Sequence, residues 1–407
     1  MVAVPVVAIL ATLDTKEAEA RFLARWFHRH GCEARLVDTA LPQPGHWTVT
    51  RDRLIAEAGQ RAAQVLEAWA TAGGLHGVLG LGGNQGAAIA AIAMRGLPAR
   101  LPKVLVSTVA ARNLTPHLAG TEVEVVFSVG DLLGGPNRVT WPPLVRAAAA
   151  LAARLGVPAS DEVEPLPSAA PAVALTTLGN TQTAAARIMA RLRGAGYDVI
   201  PFHASGAGGS AMEALVARGD FAGVVDLATH ELLGEVFPED IYAPEAPGRL
   251  RAAAEAGLPL AVAPGGLDYF VFGPPESVPP AFRGRPACAH NPFNTNVRAT
   301  AGDLRRVAVI LAERLNAARG PTAFYYPRQG WSEVGALGGP LWDAEANEAF
   351  WTTLRSHLGP GVPCVDVDAA INAPAFADAV ADGFLRLAGL PPRTEAGPHA
   401  PLPEEAR

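Results

Sequence analysis

The sequence predicts an α/β protein made of two Rossmann-like subdomains, each with a mainly parallel sheet that has helices on both faces. Strand-like apolar runs alternate with helix-like amphipathic runs along the 407 residues, which is the pattern of repeated βα units. A proline-rich stretch divides the chain near its middle, and the opening pattern returns after it. With 49% hydrophobic residues, the chain is able to bury a large core.

The first half opens with a strand-like run that leads into an amphipathic helix, in which Asp14 and Glu17 have the spacing of a capping box. Gly31 is expected to end that helix. The remaining elements alternate in the same way. The predicted strands lie near residues 4–11, 34–38, 77–81, 103–107 and 123–127, and the predicted helices near 15–30, 51–72, 86–95 and 143–155.

The stretch GVPASDEVEPLPSAAP combines prolines and acidic residues without periodicity, which predicts a linker over residues 157–171. After it, the run that starts at Val173 can be laid on the run that starts at Val7, at an offset of 166 and with Thr181 on Thr15. Two related halves would explain this match. The alternative is that any two strand–turn–helix units share this rhythm.

The second half continues the alternation and ends in a tail rich in Pro, Glu and Ala. Its further predicted strands lie near residues 198–202, 222–226, 259–263, 322–326 and 364–368. The expected organisation is a first subdomain at 1–156, the linker at 157–171, a second subdomain at 172–391 and a disordered tail at 392–407.

Composition argues against several classes of partner and compartment. The formal charge of −6 offers no basic surface for a phosphate backbone, so nucleic acid is not an expected partner. The three cysteines are far apart, no CxxC pair occurs, and the start lacks the pattern of a signal peptide. The longest apolar runs, such as 145–153, are far short of the roughly 20 residues that cross a bilayer. We therefore expect a soluble cytoplasmic protein without membrane contact.

Polar residues crowd the first strand-to-helix turn, Thr12-Leu13-Asp14-Thr15-Lys16. In open parallel sheets, ligands bind beyond the carboxyl ends of the strands. The chain has only two lysines among its 33 basic Lys and Arg residues, so each lysine invites a specific explanation. Lys16 lies in this turn, whereas Lys103 precedes an apolar run and fits a structural role at the start of a strand.

A glycine-rich loop, Gly82-Gly83-Asn84-Gln85-Gly86, follows the third predicted strand. At the start of a helix, such a loop can direct backbone N–H groups at a phosphate. It is neither a Walker A loop, because no lysine follows, nor the dinucleotide fingerprint, because Gly86 is one place away. The alternative is that the glycines only turn the chain and allow close helix packing.

A second glycine motif lies after the second strand of the second half. Gly206, Gly208 and Ala211 satisfy G-x-G-x-x-A, and Asp226 follows 20 residues after Gly206, which formally meets the dinucleotide pattern. In that fold the motif follows the first strand, so its position argues against a nicotinamide site.

Further polar residues follow the strands of the second half and suggest an enzyme. A lyase or hydrolase acting on a small carboxylate or carbonyl compound would use a histidine as base and Arg298 to hold the anion. The candidate catalytic residues are His203, Asp226, His230, Glu231 and His290.

The same residues, with Asp268, could supply metal ligands if the fold brought them together. No HxH or HExxH spacing supports zinc, and histidines at strand ends are commonly ordinary hydrogen-bonded residues. An aromatic, glycine-rich loop at 325–351 suggests a segment folded over a ligand or a neighbouring subunit. Its Ser332 lacks the G-x-S-x-G context of a nucleophile.

The motifs together resemble those of the uncharacterised bacterial and fungal proteins related to the ATP-binding amino-terminal region of the tomato mosaic virus resistance protein. The resemblance covers nearly the whole chain. It rests on TLDTK, GLGG, KVLVSTVA, FSVGDLLGGPNRVT, FHASGAGGSAMEAL, GGLDYFVFG, HNPFNTNVRAT, PRQGWSE and INAPAFADAV, in this order. It implies two Rossmann-like subdomains, ATP binding at the first of them, and a homodimer.

The resemblance also assigns residues to the expected ATP site. The residues that match the family motifs are Thr12, Asp14, Thr15 and Lys16 of the first turn, Gly82 and Gly83 of the glycine loop, and Ser107 and Thr108 of the fourth strand. The chain departs from the family pattern at Glu17, at Asn84-Gln85 and at Ala111-Arg112. Arg112 could replace a lost backbone contact with a charge.

The leading hypothesis is a protein that binds ATP or a related phosphorylated ligand between loops of the two halves. In it, Gly82, Gly83 and Gly86 offer N–H groups to phosphates, Lys16 neutralises charge, and Asp14 holds Mg²⁺ or a ribose hydroxyl. The enzyme described above is the main alternative. A dimeric interaction module without a working pocket is the third.

Overall fold

A computed structural model of the chain describes residues 4–41, 51–109, 122–157, 170–244, 248–291 and 294–389. The predicted tail, most of the predicted linker, and Arg112 lie outside the described residues.

The first half is a five-stranded parallel sheet in the order β2-β1-β3-β4-β5. Strands β1, β3 and β4 are buried along their whole length, as expected when helices cover both faces of a parallel sheet. The elements are β1 (Val6–Ala11), α1 (Leu13–Arg29), β2 (Glu33–Asp38), α2 (Arg51–Thr71), β3 (Gly77–Gly82), α3 (Asn84–Arg95), β4 (Lys103–Ser107), β5 (Glu124–Phe127) and α4 (Trp141–Arg154).

The second half is built on a six-stranded parallel sheet in the order β7-β6-β8-β9-β13-β14. Its elements are β6 (Ala172–Thr177), a 3₁₀ turn (Gly179–Thr181), α5 (Gln182–Gly194), β7 (Asp198–His203), α6 (Ala207–Ala217), β8 (Gly223–Asp226), α7 (Glu231–Val236), α8 (Arg251–Ala256), β9 (Leu260–Val262), β10 (Tyr269–Phe272), β11 (Ala287–Asn291), β12 (Asn294–Arg298), α9 (Ala301–Asn316), β13 (Thr322–Pro327), α10 (Ala344–His357), β14 (Cys364–Val367) and α11 (Pro374–Leu387). Two further 3₁₀ turns, Pro275–Ser277 and Pro280–Phe282, precede β11.

The predicted fold class is confirmed, because both sheets are parallel and carry helices on both faces. The two halves also correspond in detail. Strand β6 begins and ends 166 residues after β1, and the first five strands of each parallel sheet follow the same spatial order. This correspondence supports the interpretation of two related halves.

A small antiparallel sheet, β10-β12-β11, was not predicted. It is inserted between β9 and α9 of the second half. Strand β12 has the sequence NTNVR and is buried throughout, although asparagine is depleted in strands and its backbone preferences favour turns. Burying these amide groups makes sense only where they find polar partners.

The capping box predicted at Asp14 and Glu17 is wrong. Helix α1 begins at Leu13, and Thr12 precedes it as the capping residue. The Thr12 hydroxyl contacts the Thr15 hydroxyl at 3.1 Å instead of capping a backbone N–H group. Asp14 therefore lies exposed in the first turn, where its side chain is available to a ligand. None of the helices in the described ranges is long and apolar enough to cross a bilayer.

Candidate functional site

A cavity of about 160 Å³ lies between the two halves, beyond the carboxyl ends of β1, β3, β6 and β7. Asp14 at its edge is exposed, so the cavity leads from solvent into the interior. Its walls are formed by Thr12, Asp14, Thr15, Lys16, Arg51, Gly83, Asn84, Gln85, Gly86 and Asp131 of the first half, and by Leu178, Gly179, Asn180, Gln182, His203, Tyr242, Tyr269, Val271, His290 and Asn296 of the second.

The opening turn brings Lys16 into this cavity. The Asp38 carboxylate accepts a hydrogen bond from the Leu13 N–H group at 3.0 Å, which holds the turn against β2. Lys16 is only 6% exposed, and its Nζ atom lies 4.0 Å from Oδ1 of Asp131. This distance is too long for a hydrogen bond, so the ammonium group keeps its donors for another acceptor.

Asp131 lies in the loop that leads from β5 to α4, and this loop also forms a hydrogen bond with the second half. The Asp131 N–H group donates to the carbonyl of Pro201 in β7 at 2.7 Å. Further along, the Gly135 N–H group donates to Glu19 beneath Lys16 at 2.9 Å. Burial raises the pKa of Glu19, although Lys16 opposes the rise. The surroundings of Lys16 therefore depend on the contact between the halves.

The glycine loop ends β3 and begins α3, as predicted for a phosphate-binding turn. A Cβ atom on Gly82 would lie 2.7 Å from the Cα of Gly86, so Gly82 is required for the close approach of the helix. Gly83 lies at the N-cap position of α3 and has no side chain that could bind the first N–H groups of the helix. The first N–H groups of a helix have no partner within it, and the residues that carry them here, Asn84, Gln85 and Gly86, line the cavity.

Arg51 lies beside this turn and adds a second cation. Its Nε atom donates to Oε1 of Gln85 at 3.2 Å, and its guanidinium lies 3.6 Å from Glu333 of the second half. The turn, Lys16 and Arg51 bring groups that attract anions to one wall of the cavity, which also carries the carboxylates of Asp14 and Asp131.

Asn84, one of the departures from the family pattern, joins the two halves. Its Nδ2 group donates to the hydroxyl of Tyr242 at 3.2 Å and to Oδ1 of Asn294 at 3.0 Å. Its Oδ1 atom is buried and has no hydrogen-bond partner among the described residues. The larger side chain thus connects the glycine loop to the inserted sheet and leaves an acceptor at the cavity.

The opposite wall is polar, and none of the described residues that line it carries a charge. Asn180, in the turn after β6, donates from Nδ2 to the hydroxyl of Tyr269 at 3.1 Å. Three buried atoms on this wall lack hydrogen-bond partners among the described residues. They are Oδ1 of Asn180, Nδ1 of His203 and Nδ2 of Asn296. Because burying an unpaired polar atom costs about 1–3 kcal/mol, such a group points to ligand recognition.

Both histidines that line the cavity are held in the neutral form. Burial lowers the pKa of His203, and nearby Asp131 only partly opposes this. Burial, with the positive charge of Arg51, lowers the pKa of His290 to about 3. At neutral pH, each imidazole can therefore accept a proton or a hydrogen bond.

The other candidate catalytic residues do not line the cavity. Asp226 and Glu231 flank the guanidinium of Arg249, with O–N distances of 2.7 and 2.6 Å, and Glu213 approaches it at 3.0 Å. His230 donates from Nδ1 to the carbonyl of Gly266 and contacts Asp240 through Nε2. These side chains form a buried ionic cluster and a structural hydrogen bond network.

The second glycine motif holds an internal carboxylate. The N–H groups of Gly206 and Gly209 both donate to Oε1 of Glu231, the latter at 3.2 Å. A Cβ atom on Gly209 would fall on this carboxylate. Asp226, expected at a ribose in the nicotinamide interpretation, binds Thr176 and Arg249. The protein itself therefore supplies the anion that this motif would otherwise take from a dinucleotide.

Four further predicted residues lie outside the cavity wall. Ser107 accepts a hydrogen bond from Val109 N–H at 3.2 Å, and Thr108 lies behind Gly83. Arg298 donates to the Asp268 carbonyl at 2.7 Å and to Asn347 at 2.6 Å, so it braces the inserted sheet. Lys103 donates to two backbone carbonyls, at 2.8 and 3.1 Å, as suits the structural role suggested for it.

Within the described ranges, no three His, Cys, Asp or Glu side chains come together as a metal cluster would require. In particular, the proposed ligand Asp268 accepts a hydrogen bond from Ser332 at 2.6 Å. The Ser332 hydroxyl is thus bound to a carboxylate, and Asp268 is buried away from the cavity.

Sequence reasoning missed seven polar residues of the cavity, most of them on the second wall. They are Arg51, Asp131, Asn180, Gln182, Tyr242, Tyr269 and Asn296. Asn180 and Gln182 could have been found, because they lie 166 residues after Asp14 and Lys16. No comparable signal marks the others, which come from a loop, a helix start and the unpredicted sheet.

Comparison with known proteins places the chain in a family. The profile described as the N-terminal domain of an uncharacterised protein family, UPF0261, matches residues 5–68 and 46–159. The profile of the C-terminal domain of the same family matches residues 170–388. The chain belongs to the UPF0261 family.

Relatives from bacteria and a plant agree with this assignment. A UPF0261 protein of Clostridium tetani is 31% identical over 94% of this chain and 98% of its own. A UPF0261 protein of Mesorhizobium japonicum is 32% identical over 93% and 98%. The ToMV resistance protein Tm-1(GCR237) of Solanum lycopersicum is 33% identical over 80% of this chain and 43% of its own length. The suspected family relationship is confirmed.

Proposed function

We propose that this UPF0261 protein binds ATP or a related phosphorylated ligand in the cavity between its halves. The observation that carries the proposal is the combination of the uncapped first turn of α3 with the buried Lys16 and with Arg51 on one wall. Backbone N–H groups at a helix start, together with two cations, suit a phosphate group. The resemblance to the ATP-binding family points the same way.

Each residue then has a distinct role. The backbone N–H groups at the start of α3, including that of Gly86, bind phosphate oxygens, and Lys16 neutralises their charge. Gly82, expected to bind phosphate, acts instead by allowing β3 and α3 to approach. Thr12 and Thr15 support the turn through their hydroxyl contact.

The arrangement also suits a Mg²⁺ ion that is bound together with the phosphorylated ligand. It is usually bound through one or two carboxylates, phosphate oxygens and several water molecules. Asp14 is exposed at the cavity edge, where it can contact such an ion or a ribose hydroxyl. The volume of about 160 Å³ is below the 300–1,000 Å³ usual for enclosed ligands. A nucleotide would therefore extend through the mouth beside Asp14.

The direct test is isothermal titration calorimetry of the purified protein with ATP, ADP and AMP, each with and without Mg²⁺. We expect binding that strengthens with the number of phosphates. Thermal denaturation provides a second reading, because ligand at about 100 Kd stabilises the native state by roughly 2.7 kcal/mol. If the protein binds none of these nucleotides, the proposal is refuted.

An enzymatic role at the same cavity is the second candidate, and His203 is the observation that favours it. His203 lines the cavity, its Nδ1 atom is buried without a hydrogen-bond partner among the described residues, and burial lowers its pKa, so its neutral imidazole is able to act as a general base. His290 is its companion on the wall, whereas Arg298 is engaged elsewhere. Phosphate release from ATP that is lost in His203→Asn, with binding retained, would support catalysis.

The family resemblance also leads us to expect a homodimer. Sedimentation equilibrium would test this, and a monomer at micromolar concentration would contradict it.

A further inference from the structure

We propose that the second half of the protein recognises the uncharged end of the same ligand, through hydrogen bonds to the edge of a nucleobase. This inference rests on the proposed function and adds that the two walls bind different parts of the ligand. The first half would bind the phosphates, and the second half would choose which nucleotide is accepted.

The first supporting observation is that related turns form opposite walls of the cavity but differ in charge. Asn180 and Gln182 lie 166 residues after Asp14 and Lys16, and all four line the cavity. A carboxylate in the first half thus corresponds to an amide of the same shape in the second, and a lysine corresponds to glutamine. The second turn keeps hydrogen-bonding capacity and loses charge, so it suits a neutral ligand group.

The second observation concerns unsatisfied atoms. Asn180 is 2% exposed and Asn296 is 1% exposed, and each has one side-chain polar atom without a hydrogen-bond partner among the described residues. The free atom of Asn180 is an acceptor, Oδ1, and that of Asn296 is a donor, Nδ2. A partner for both must present a donor and an acceptor.

The third observation is that Asn180 is fixed in place and that aromatic rings lie on the same wall as the two amides. The hydroxyl of Tyr269 accepts from Asn180 and so orients its free oxygen. Tyr242, in the same way, accepts from Asn84. With Val271, these rings provide the apolar surface of this wall. An amide edge beside aromatic rings is the usual means of recognising an unpaired base.

A nucleobase satisfies all three conditions. Adenine presents an amino donor beside a ring-nitrogen acceptor, its faces are apolar, and it is neutral at pH 7. Inorganic tripolyphosphate has the phosphates of ATP without this end. The two molecules therefore separate the contributions of the two walls.

The experiment compares the affinities of the intact protein for ATP and for tripolyphosphate by isothermal titration calorimetry. Asn180→Leu and Asn296→Leu each remove the amide and keep the branched side-chain shape with four heavy atoms. We expect about tenfold weaker ATP binding in each variant, because one hydrogen bond to the base is lost, and tripolyphosphate binding within twofold of the original. Lys16→Ala should weaken both ligands.

The control is Asn316→Leu, because the side chain of Asn316 bonds to His357 and Gly359, and none of these three residues lines the cavity. It should change neither affinity. Melting temperatures show which variants fold, and either of the two wall variants suffices for the test. An unchanged ATP affinity in the wall variants, or an equal decrease in the affinities for ATP and tripolyphosphate, would overturn this inference. The proposal that the protein binds phosphorylated ligands would still stand. If the unsubstituted protein binds neither ATP nor tripolyphosphate, both the proposed function and this inference are refuted.

Discussion

The Nζ atom of Lys16 lies 4.0 Å from Oδ1 of Asp131, and both side chains are almost entirely buried. Asp131 reaches this position because its backbone N–H group is bound to Pro201 of the other half. The lysine thus has a counter-charge that compensates its burial without using its hydrogen-bond donors. An anionic ligand would compete with Asp131 for the ammonium group.

Asp131→Asn should therefore strengthen binding of ATP in the absence of Mg²⁺, by about tenfold. The substitution removes one negative charge near the phosphates, retains the side-chain shape, and leaves the backbone bond to Pro201 in place. Calorimetry in EDTA measures the affinity. Asp198→Asn is the matched control, because Asp198 pairs with Arg138 outside the cavity. Equal affinity in the Asp131 variant and the original protein would separate Asp131 from the ligand site.

The two lysines of the chain should respond to alanine in opposite ways. Lys16→Ala should weaken ATP binding at least tenfold. Lys103→Ala should leave ATP affinity unchanged and lower the free energy of unfolding by about 1–3 kcal/mol, because two carbonyls lose their donor. Calorimetry and chemical denaturation of both variants provide the comparison. Equal ATP affinity after Lys16→Ala would remove Lys16 from the site.

The parallel sheets could be predicted because their signal is local and strong. Strands such as β1 and β3 are continuous apolar runs bounded by turn residues, and the helices between them are amphipathic. The inserted sheet could not, because β12 is a buried strand of mainly polar residues. Its stability depends on partners such as Asn84, which lies 210 residues away from Asn294.

The candidate site divides in the same way. Lys16 and Gly83 line the cavity, and both could be selected from the sequence because they follow strands of the first half, where ligands bind in open parallel sheets. For Asp226 and Glu231 the same rule failed. Asp226 ends β8 and Glu231 lies just beyond it, but both carboxylates form ion pairs with the buried Arg249. Sequence position shows where a strand ends, and only the fold shows which side chains are already neutralised.

The fit of Gly209 against Glu231 predicts a steric effect. A Cβ atom at this position would lie 1.7 Å from Oε2 of Glu231, so Gly209→Ala must displace a buried carboxylate from its partners. We expect destabilisation of at least 2 kcal/mol. Gly194→Ala, at the end of helix α5 where a Cβ atom would meet nothing within 4 Å, should be neutral or stabilise by up to about 1 kcal/mol. Urea denaturation measures the free energy of unfolding of both variants. Similar values for the two would contradict the close contact between Gly209 and Glu231.

The buried cluster around Arg249 predicts a pH dependence of stability that originates at Glu231. Burial raises the pKa of Glu231 from 4.5 to about 7, although Arg249 and the glycine N–H groups oppose the rise. The folded protein therefore binds a proton more tightly than the unfolded chain does. The stabilisation from this group is complete below pH 4.5 and is lost as the pH rises through 7.

Glu231→Gln removes this titration and keeps an acceptor for the N–H groups of Gly206 and Gly209. Between pH 5 and 8, the original protein should lose on the order of 1–3 kcal/mol more stability than the variant does. Urea denaturation at several pH values measures the difference. His203 and His290 act in the opposite direction, since their lowered pKa values add stability as the pH rises, but both proteins share that contribution. Parallel stability curves for the two proteins would show that Glu231 is already ionised throughout this range and that Arg249 fully compensates its burial.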